Sequence, residues 1–309
     1  MTTLSVVIPV YNSEKSLPLL IQRLGPVLAA NARSYEVLLV NDASSDRSWQ
    51  VIQAIARSTR WVKGINLMRN YGQHNALLCG IRETKYEAIV TIDDDLQNPP
   101  EEIPKLLERL EQGFDVVYGT PMEEQHGFWR DMASVITKIA LQGAMKAETA
   151  RRVSAFRAFR SITSQAFENY RGPFVSIDVL LTWATSRFTS VTVKHEVRTV
   201  GESQYTFRKL VTHALNMMTG FSVLPLEVAS VIGFIFTLFG FGILLYVVGR
   251  YLITGGSVPG FPFLASIIAI FSGAQLFALG ILGEYLARMH FRTMDKPAYA
   301  IRSITKARK

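Results

Sequence analysis

Two stretches in the last third of the chain constrain it more than any other feature. Residues 228–249 and 261–283 contain no Asp, Glu, Lys or Arg and are rich in Phe, Leu, Ile and Gly. Each matches the ~20 apolar residues that a helix needs to cross the hydrocarbon core of a bilayer. Arg250 closes the first run; Glu284 and Arg288 close the second. Between them, residues 253–260 (ITGGSVPG) form an uncharged linker of turn formers. The pattern predicts a transmembrane helical hairpin. A buried core hairpin is the competing reading, but two such runs in tandem are rare in soluble folds.

The charge supports this. The net charge is +8, and most of it sits at the C-terminal end. Arg288, Arg292, Lys296, Arg302, Lys306, Arg308 and Lys309 stand there against Asp295 alone. A basic segment after an apolar one suits anionic lipid headgroups and argues against nucleic acid. Arg208 and Lys209 precede the first run, and the loop between the runs has only Arg250 at its edge. The positive-inside rule then places both ends in the cytosol. Residues 1–5 lack a basic region followed by an apolar core, so no cleavable signal peptide is expected. The single Cys79 excludes an internal disulfide or a thiolate metal cage.

The first two thirds of the chain alternate two patterns. Residues 4–10, 35–40, 62–67, 88–92 and 115–118 are short apolar, β-branched runs that read as strands. Residues 17–30, 49–56, 74–82 and 103–110 carry helical periodicity. Short buried strands separated by helices imply an α/β fold, a parallel sheet covered on both faces. Ligands of such sheets bind beyond the carboxyl ends of the strands.

Three polar clusters stand at those ends. Asp93, Asp94, Asp95, Leu96 and Gln97 follow the fourth strand. Three successive carboxylates repel one another and call for a counter-charge. Mg²⁺ or Mn²⁺ supplies one through oxygen ligands, with Asp93 and Asp95 bracketing the ion and Gln97 adding an amide oxygen. An acidic turn at a strand end is the plainer reading of this cluster taken alone. The second cluster, residues 6–12 (VVIPVYN), ends the first strand; the third, residues 40–46 (VNDASSD), ends the second. Asp42 is placed to hold a base or ribose, and Asp46 to serve the start of the next helix. Each of these two is weak alone, since Asn, Asp and Ser are common in turns and caps. Their convergence on one edge of one sheet is the stronger signal.

These motifs, with NYGQHNALLCG at 70–80, DDDLQNPPEEIP at 93–104 and RTVGESQYTFRKL at 198–210, resemble family-two glycosyltransferases of the GT-A fold. Within that family the resemblance is to enzymes that load sugars onto polyprenyl phosphates, and it covers essentially the whole chain. It implies a Rossmann-like GT-A catalytic domain over residues 1–204 and a juxtamembrane amphipathic helix over 205–222. Residues 223–290 would form the membrane hairpin and 291–309 a basic cytosolic tail. The helix rests also on the spacing of Phe207, Leu210, Val211, Ala214, Leu215, Met218 and Phe221.

The resemblance implies roles for single residues. Pro9, Tyr11 and Asp42 would line the nucleotide, and Asp93 and Asp94 would contact the nucleotide-sugar. Asp95 and Gln97, with Asp93, would hold Mg²⁺ or Mn²⁺. Arg198 would lie near the donor diphosphate and join Asp93 and Asp95 in catalysis. Arg130 and Ser134 would receive the acceptor phosphate, with Arg208 adding charge; an arginine fork and a hydroxyl suit a phosphate. The expected reaction is inverting transfer of a hexose, with UDP-glucose as the first expectation, to undecaprenyl phosphate at the cytosolic face of the inner membrane. GDP-mannose, a UDP-N-acetylhexosamine or a UDP-aminoarabinose derivative are the alternative donors. Three positions depart from the family pattern: Gly119-Thr120-Pro121 replaces a Ser-Arg, Gln204 replaces a lysine, and Arg152 replaces an aspartate.

Other classes fit less well. A polysaccharide synthase would need a Gln-x-x-Arg-Trp stretch, which is missing. A scaffold without activity has no need of Asp93, Asp95 and Gln97 together. A nicotinamide oxidoreductase would carry G-x-G-x-x-G after the first strand. Gly233, Gly240, Gly242, Gly273 and Gly280 permit close helix packing, so a homo-oligomer is compatible with the spans.

Overall fold

The computed structural model describes residues 2–121, 152–172, 175–196, 224–255, 260–294 and 296–305. Arg130, Ser134, Arg198, Gln204, Arg208 and the expected amphipathic helix lie outside them.

The chain opens with β1 (Thr2–Val10), α1 (Leu17–Asn31), β2 (Ala32–Asn41), α2 (Ser48–Ser58), β3 (Val62–Leu67), α3 (Gln73–Arg82) and β4 (Ala88–Thr91). After a 3₁₀ turn at Pro100–Glu102 come α4 (Ile103–Glu111), β5 (Val116–Pro121), β6 (Arg157–Arg160), α5 (Ile177–Ala184) and β7 (Phe188–Val193). Two long helices follow, α6 (Leu224–Thr254) and α7 (Phe261–Thr293), and β8 (Ile301–Ile304) ends the series.

The strands form one eight-stranded sheet in the order β7-β5-β6-β4-β1-β2-β3-β8. β1 to β4 run parallel, as the strand–helix alternation implies. The sheet as a whole is mixed, which corrects the all-parallel expectation: β6 runs antiparallel between β4 and β5, and β8 is antiparallel to β3. The segment read as a free basic tail therefore supplies an edge strand.

Alternation along the central strands separates two cores. Val6, Ile8 and Val10 of β1, with Val37 and Leu39 of β2, face a core shared with α1, α2 and α4. Val7, Leu38 and Val40 face the other, under α3 and α5. Side chains at successive strand positions point to opposite faces, so a strand buried on both reads as a continuous apolar run. Full burial of each Leu, Ile or Val stabilises the fold by roughly 1.5–3 kcal/mol.

The hairpin obeys a different rule. Residues 226–253 and 270–290 are long and apolar enough to cross a membrane. Their large side chains point outward: Phe234, Leu238, Phe239, Leu276 and Phe277 are all more than half exposed. The two helices meet where Phe236 and Phe271 stack edge to face at 5.7 Å. Close to that contact, Gly240 leaves room for the Phe271 ring. After the second long helix, β8 returns the chain to the edge of the sheet beside β3.

Candidate active site

The site lies where the turns after β1, β2 and β4 meet. A pocket of about 540 Å³ opens there, lined among others by Pro9, Tyr11, Asp42, Asp93, Asp94, Asp95 and Gln97. The structure thus brings together every expected donor-side residue that falls in the described region.

Each turn contains a residue in the left-handed region: Asn12 (φ 56°), Ala43 (φ 52°) and Leu96 (φ 63°). Among the described residues these are the non-glycine residues with positive φ. For Ala43 and Leu96 the conformation costs ~1–2 kcal/mol each. Surrounding hydrogen bonds hold it. Asn12 N donates to Ser44 Oγ (3.0 Å), and Asn12 Oδ1 accepts from Ser45 N (2.8 Å). Strain at Ala43 and Leu96, on two of the three converging turns, is of the kind that clusters at ligand sites. Asp46 accepts from Ser48 N (2.9 Å), serving the start of α2 as the sequence suggested.

The three carboxylates after β4 have separate tasks. Asp94 Oδ2 accepts from Tyr11 N (3.2 Å) and Ser13 Oγ (2.5 Å), so it ties the β4 turn to the β1 turn. Burial pushes its pKa up to about 6 against those two hydrogen bonds, and the neighbouring Asp95 pushes the same way. Asp93 Oδ1 accepts from Gln73 Nε2 (2.7 Å) at the start of α3. Asp95 Oδ1 accepts from Gln97 N (3.1 Å), closing a tight turn. Gln97 O in turn accepts from Glu196 N (2.8 Å), which anchors the chain after β7 beside the acidic turn.

Asp93, Asp95 and Gln97 offer hard oxygen donors of the kind that Mg²⁺ and Mn²⁺ take. Among the described residues, no three His, Cys, Asp or Glu side chains gather round one point. A divalent ion here would draw its remaining ligands from substrate phosphates and water, the ordinary habit of Mg²⁺. The residues present fit such an ion.

Asp42 is more committed than the sequence suggests. Its two oxygens accept from Tyr71 N and Gly72 N, both at 2.7 Å. Burial raises its pKa, and these two amides oppose the rise. Asp42 thus fixes the loop between β3 and α3 while still facing the pocket. Gly72, at φ 93°, makes the turn into α3. That loop brings Asn70, Gln73 and His74 to the pocket, residues the sequence reading quoted without assigning.

A second group went unassigned: Arg157 and Asp178 also line the pocket. Both are buried and form an ion pair, and Tyr118 Oη donates to the same Asp178 oxygen (3.1 Å). Burial raises the Tyr118 pKa, and Asp178 adds to the rise. A partner 21 residues away from Arg157 is not legible from spacing. Arg152, which the resemblance marks as a departure from the family pattern, donates to Ser190 Oγ (3.1 Å).

A mixed sheet with an acidic turn at the end of a central strand is the architecture of the GT-A fold. The family model for glycosyl transferase family 2 matches residues 5–169. An undecaprenyl-phosphate 4-deoxy-4-formamido-L-arabinose transferase of Pseudomonas aeruginosa is 36% identical, over 98% of this chain and 90% of its own length. A Photorhabdus laumondii protein of the same name is 35% identical, over 97% and 93%. The glucosyl-3-phosphoglycerate synthase of Mycobacterium tuberculosis, solved with Mn²⁺, UDP and its glucosyl product, shares the fold. It has a TM-score of 0.53 at 18% identity, over 71% of this chain and 78% of its own. The chain belongs to glycosyltransferase family 2, and it is a glycosyltransferase. The relatives named here carry a formamido-pentose and not glucose, so they do not support the expected UDP-glucose donor.

Proposed function

We propose that the protein transfers a sugar from a nucleotide-sugar to a polyprenyl phosphate at the cytosolic face of the inner membrane. The observation that carries this reading is the meeting of three strand-end turns in one pocket, on a domain held at both ends of a membrane hairpin. The relatives' names support undecaprenyl phosphate as acceptor and favour a 4-formamido- or 4-amino-pentose over glucose as the sugar.

In this reading Pro9, Tyr11, Asp42 and Asp94 form the nucleotide wall. Asp93, Asp95 and Gln97 would hold Mg²⁺ or Mn²⁺, which as a Lewis acid offsets the charge that develops on the leaving diphosphate. Arg198 serves the same diphosphate, and Arg130, Ser134 and Arg208 receive the acceptor phosphate. An oxygen of that phosphate attacks the anomeric carbon in line, and the bond from that carbon to the nucleoside diphosphate breaks, with inversion. A phosphate monoester is already largely ionised at neutral pH, its second pKa being ~6. The pocket therefore needs no general base. The structure is consistent with that, since Asp178 is engaged by Arg157 and Tyr118.

The test is transfer of label. Purified protein is incubated with Mg²⁺ or Mn²⁺, undecaprenyl phosphate and a panel of labelled nucleotide-sugars. Label should enter the organic phase from a UDP-4-formamido- or 4-amino-pentose. Transfer from UDP-glucose alone would overturn the sugar assignment, and transfer from no donor would overturn the reaction.

A further inference from the structure

The chain crosses from β7 to the hairpin and then returns to the sheet at its far edge. The return is closely fitted. Ile301, Ser303 and Ile304 register with Leu67, Asn66 and Ile65 of β3. Beyond the ladder, Met68 N donates to Ala300 O and Thr305 N to Gly64 O, both at 2.9 Å. Gly64 N donates to Thr305 Oγ1 (2.9 Å), and Arg302 Nη2 to Met68 O (3.3 Å). A Cβ on Gly64 would stand 2.4 Å from the Ile52 side chain and 2.9 Å from the Thr305 methyl. Any side chain there would force Ile52 or Thr305 to move. Ala298 is buried, and Tyr299 lies 5.7 Å under the Arg82 guanidinium of α3.

Met68 is two residues from Asn70, where the pocket wall of residues 70–74 begins. Asn66, paired with Ser303, accepts from Asn41 Nδ2 (2.8 Å), and Asn41 Oδ1 accepts from Ser44 Oγ (2.6 Å) beside Asn12. Two routes thus run from β8 into the turns of the donor pocket.

We propose that β8 is a positioning element for the donor: the strand returning from the membrane hairpin holds β3 and the following loop in the conformation that receives the nucleotide-sugar. The proposal rests on the reading of the pocket given under Proposed function. Without β8, β3 becomes an unpaired edge, and edges with few partners open locally. When only a fraction of molecules present a competent pocket, apparent affinity falls by that fraction. A strand that merely stabilised the fold would act otherwise: its loss would reduce the amount of active enzyme and leave the donor KM of surviving molecules unchanged.

The experiment compares full-length enzyme in detergent with an Arg302→Ala/Thr305→Val double variant, Thr305→Ser, and a deletion of residues 297–309. Binding of UDP with Mn²⁺, the donor KM, kcat and thermal unfolding are measured for each. The double variant should raise the UDP Kd and the donor KM about three- to tenfold, the range expected for losing one or two hydrogen bonds, with kcat within about twofold. Thr305→Ser should bind UDP as the unaltered enzyme does, because it keeps the hydroxyl that Gly64 N donates to. An unchanged KM with reduced kcat in the double variant would overturn the proposal, whether or not the deletion folds. If the unaltered protein binds no UDP, the reading of the pocket fails first, and this inference with it.

Discussion

The catalytic sheet and the membrane hairpin are built from the same apolar residues turned in opposite directions. In β1 and β2, Ile8 and Leu39 are wholly buried; in the spans, Leu238 and Leu276 are more than half exposed. In the sheet, water drives Leu and Val inward and the polar turns collect at the strand ends. In the hairpin, lipid is as apolar as the side chains, and only the backbone must satisfy itself, which a helix does. The first environment can build a site with fixed charges. The second can only set where that site stands. In the reading proposed above, the hairpin would hold the domain at the height where a lipid acceptor presents its phosphate, and the domain would supply the chemistry.

The largest expected effect divides the two regions by function. Asp95→Ala should lower turnover by about 10²–10³-fold or more, the scale of losing a principal electrostatic contact to the leaving group. Membrane extraction and helix content should stay as in the unaltered protein. Full turnover of this variant with Mg²⁺ in detergent would remove Asp95 from the metal assignment.

A smaller effect tests the packing half of the comparison. Leu39→Ala removes a fully buried side chain and should cost about 2–5 kcal/mol of stability. Leu238→Ala, at 57% exposure in the span, should cost less than about 1 kcal/mol in detergent, because little protein surrounds it. Chemical denaturation of both variants in one detergent measures the difference. Equal losses would mean that Leu238 is covered, by a second copy of the chain for instance.

Legibility follows the same division. The spans could be read because lipid imposes length and charge exclusion directly on sequence. β1 to β4 and their helices were nearly as plain, since burial on both faces leaves continuous apolar runs. β6 was not, because it is four residues, Arg-Ala-Phe-Arg, and one of its arginines is buried by an ion pair to Asp178. β8 hid inside a basic segment, where Ile301 and Ile304 carry too little pattern to outweigh the charge around them. That Asp93, Asp95 and Gln97 line the pocket was legible from their order alone. The use of Asp94 and Asp42 to brace neighbouring turns was not, because those partners lie 83 and about 30 residues away. The left-handed Ala43 and Leu96 were equally hidden, since both residue types disfavour that conformation.

The smallest expected effect concerns pH, and it separates the regions once more. Arg23 of α1 forks between Glu101, ahead of α4, and Glu196, after β7. Its hydrogen bonds hold both carboxyls below their ordinary range, and they raise the guanidinium further above its own. Carboxyls depressed in the folded state contribute stability that is fully present above their unfolded pKa, near 4.5. That stability is lost as the pH falls through the lower folded values. All three side chains are partly exposed, so the contribution at pH 7 is less than about 1 kcal/mol. Arg23→Gln should therefore lower the unfolding temperature of the domain slightly at pH 7. The two proteins should converge as the pH falls from about 5 toward 3, and 1 M salt should narrow the gap at pH 7 by screening the pair. The spans have no carboxylate between residues 228 and 249 or between 261 and 283 to answer that titration. Helical signal from the hairpin should hold across the same range, and a gap that stays constant toward low pH would mean that Arg23 stabilises the fold by packing instead of by charge.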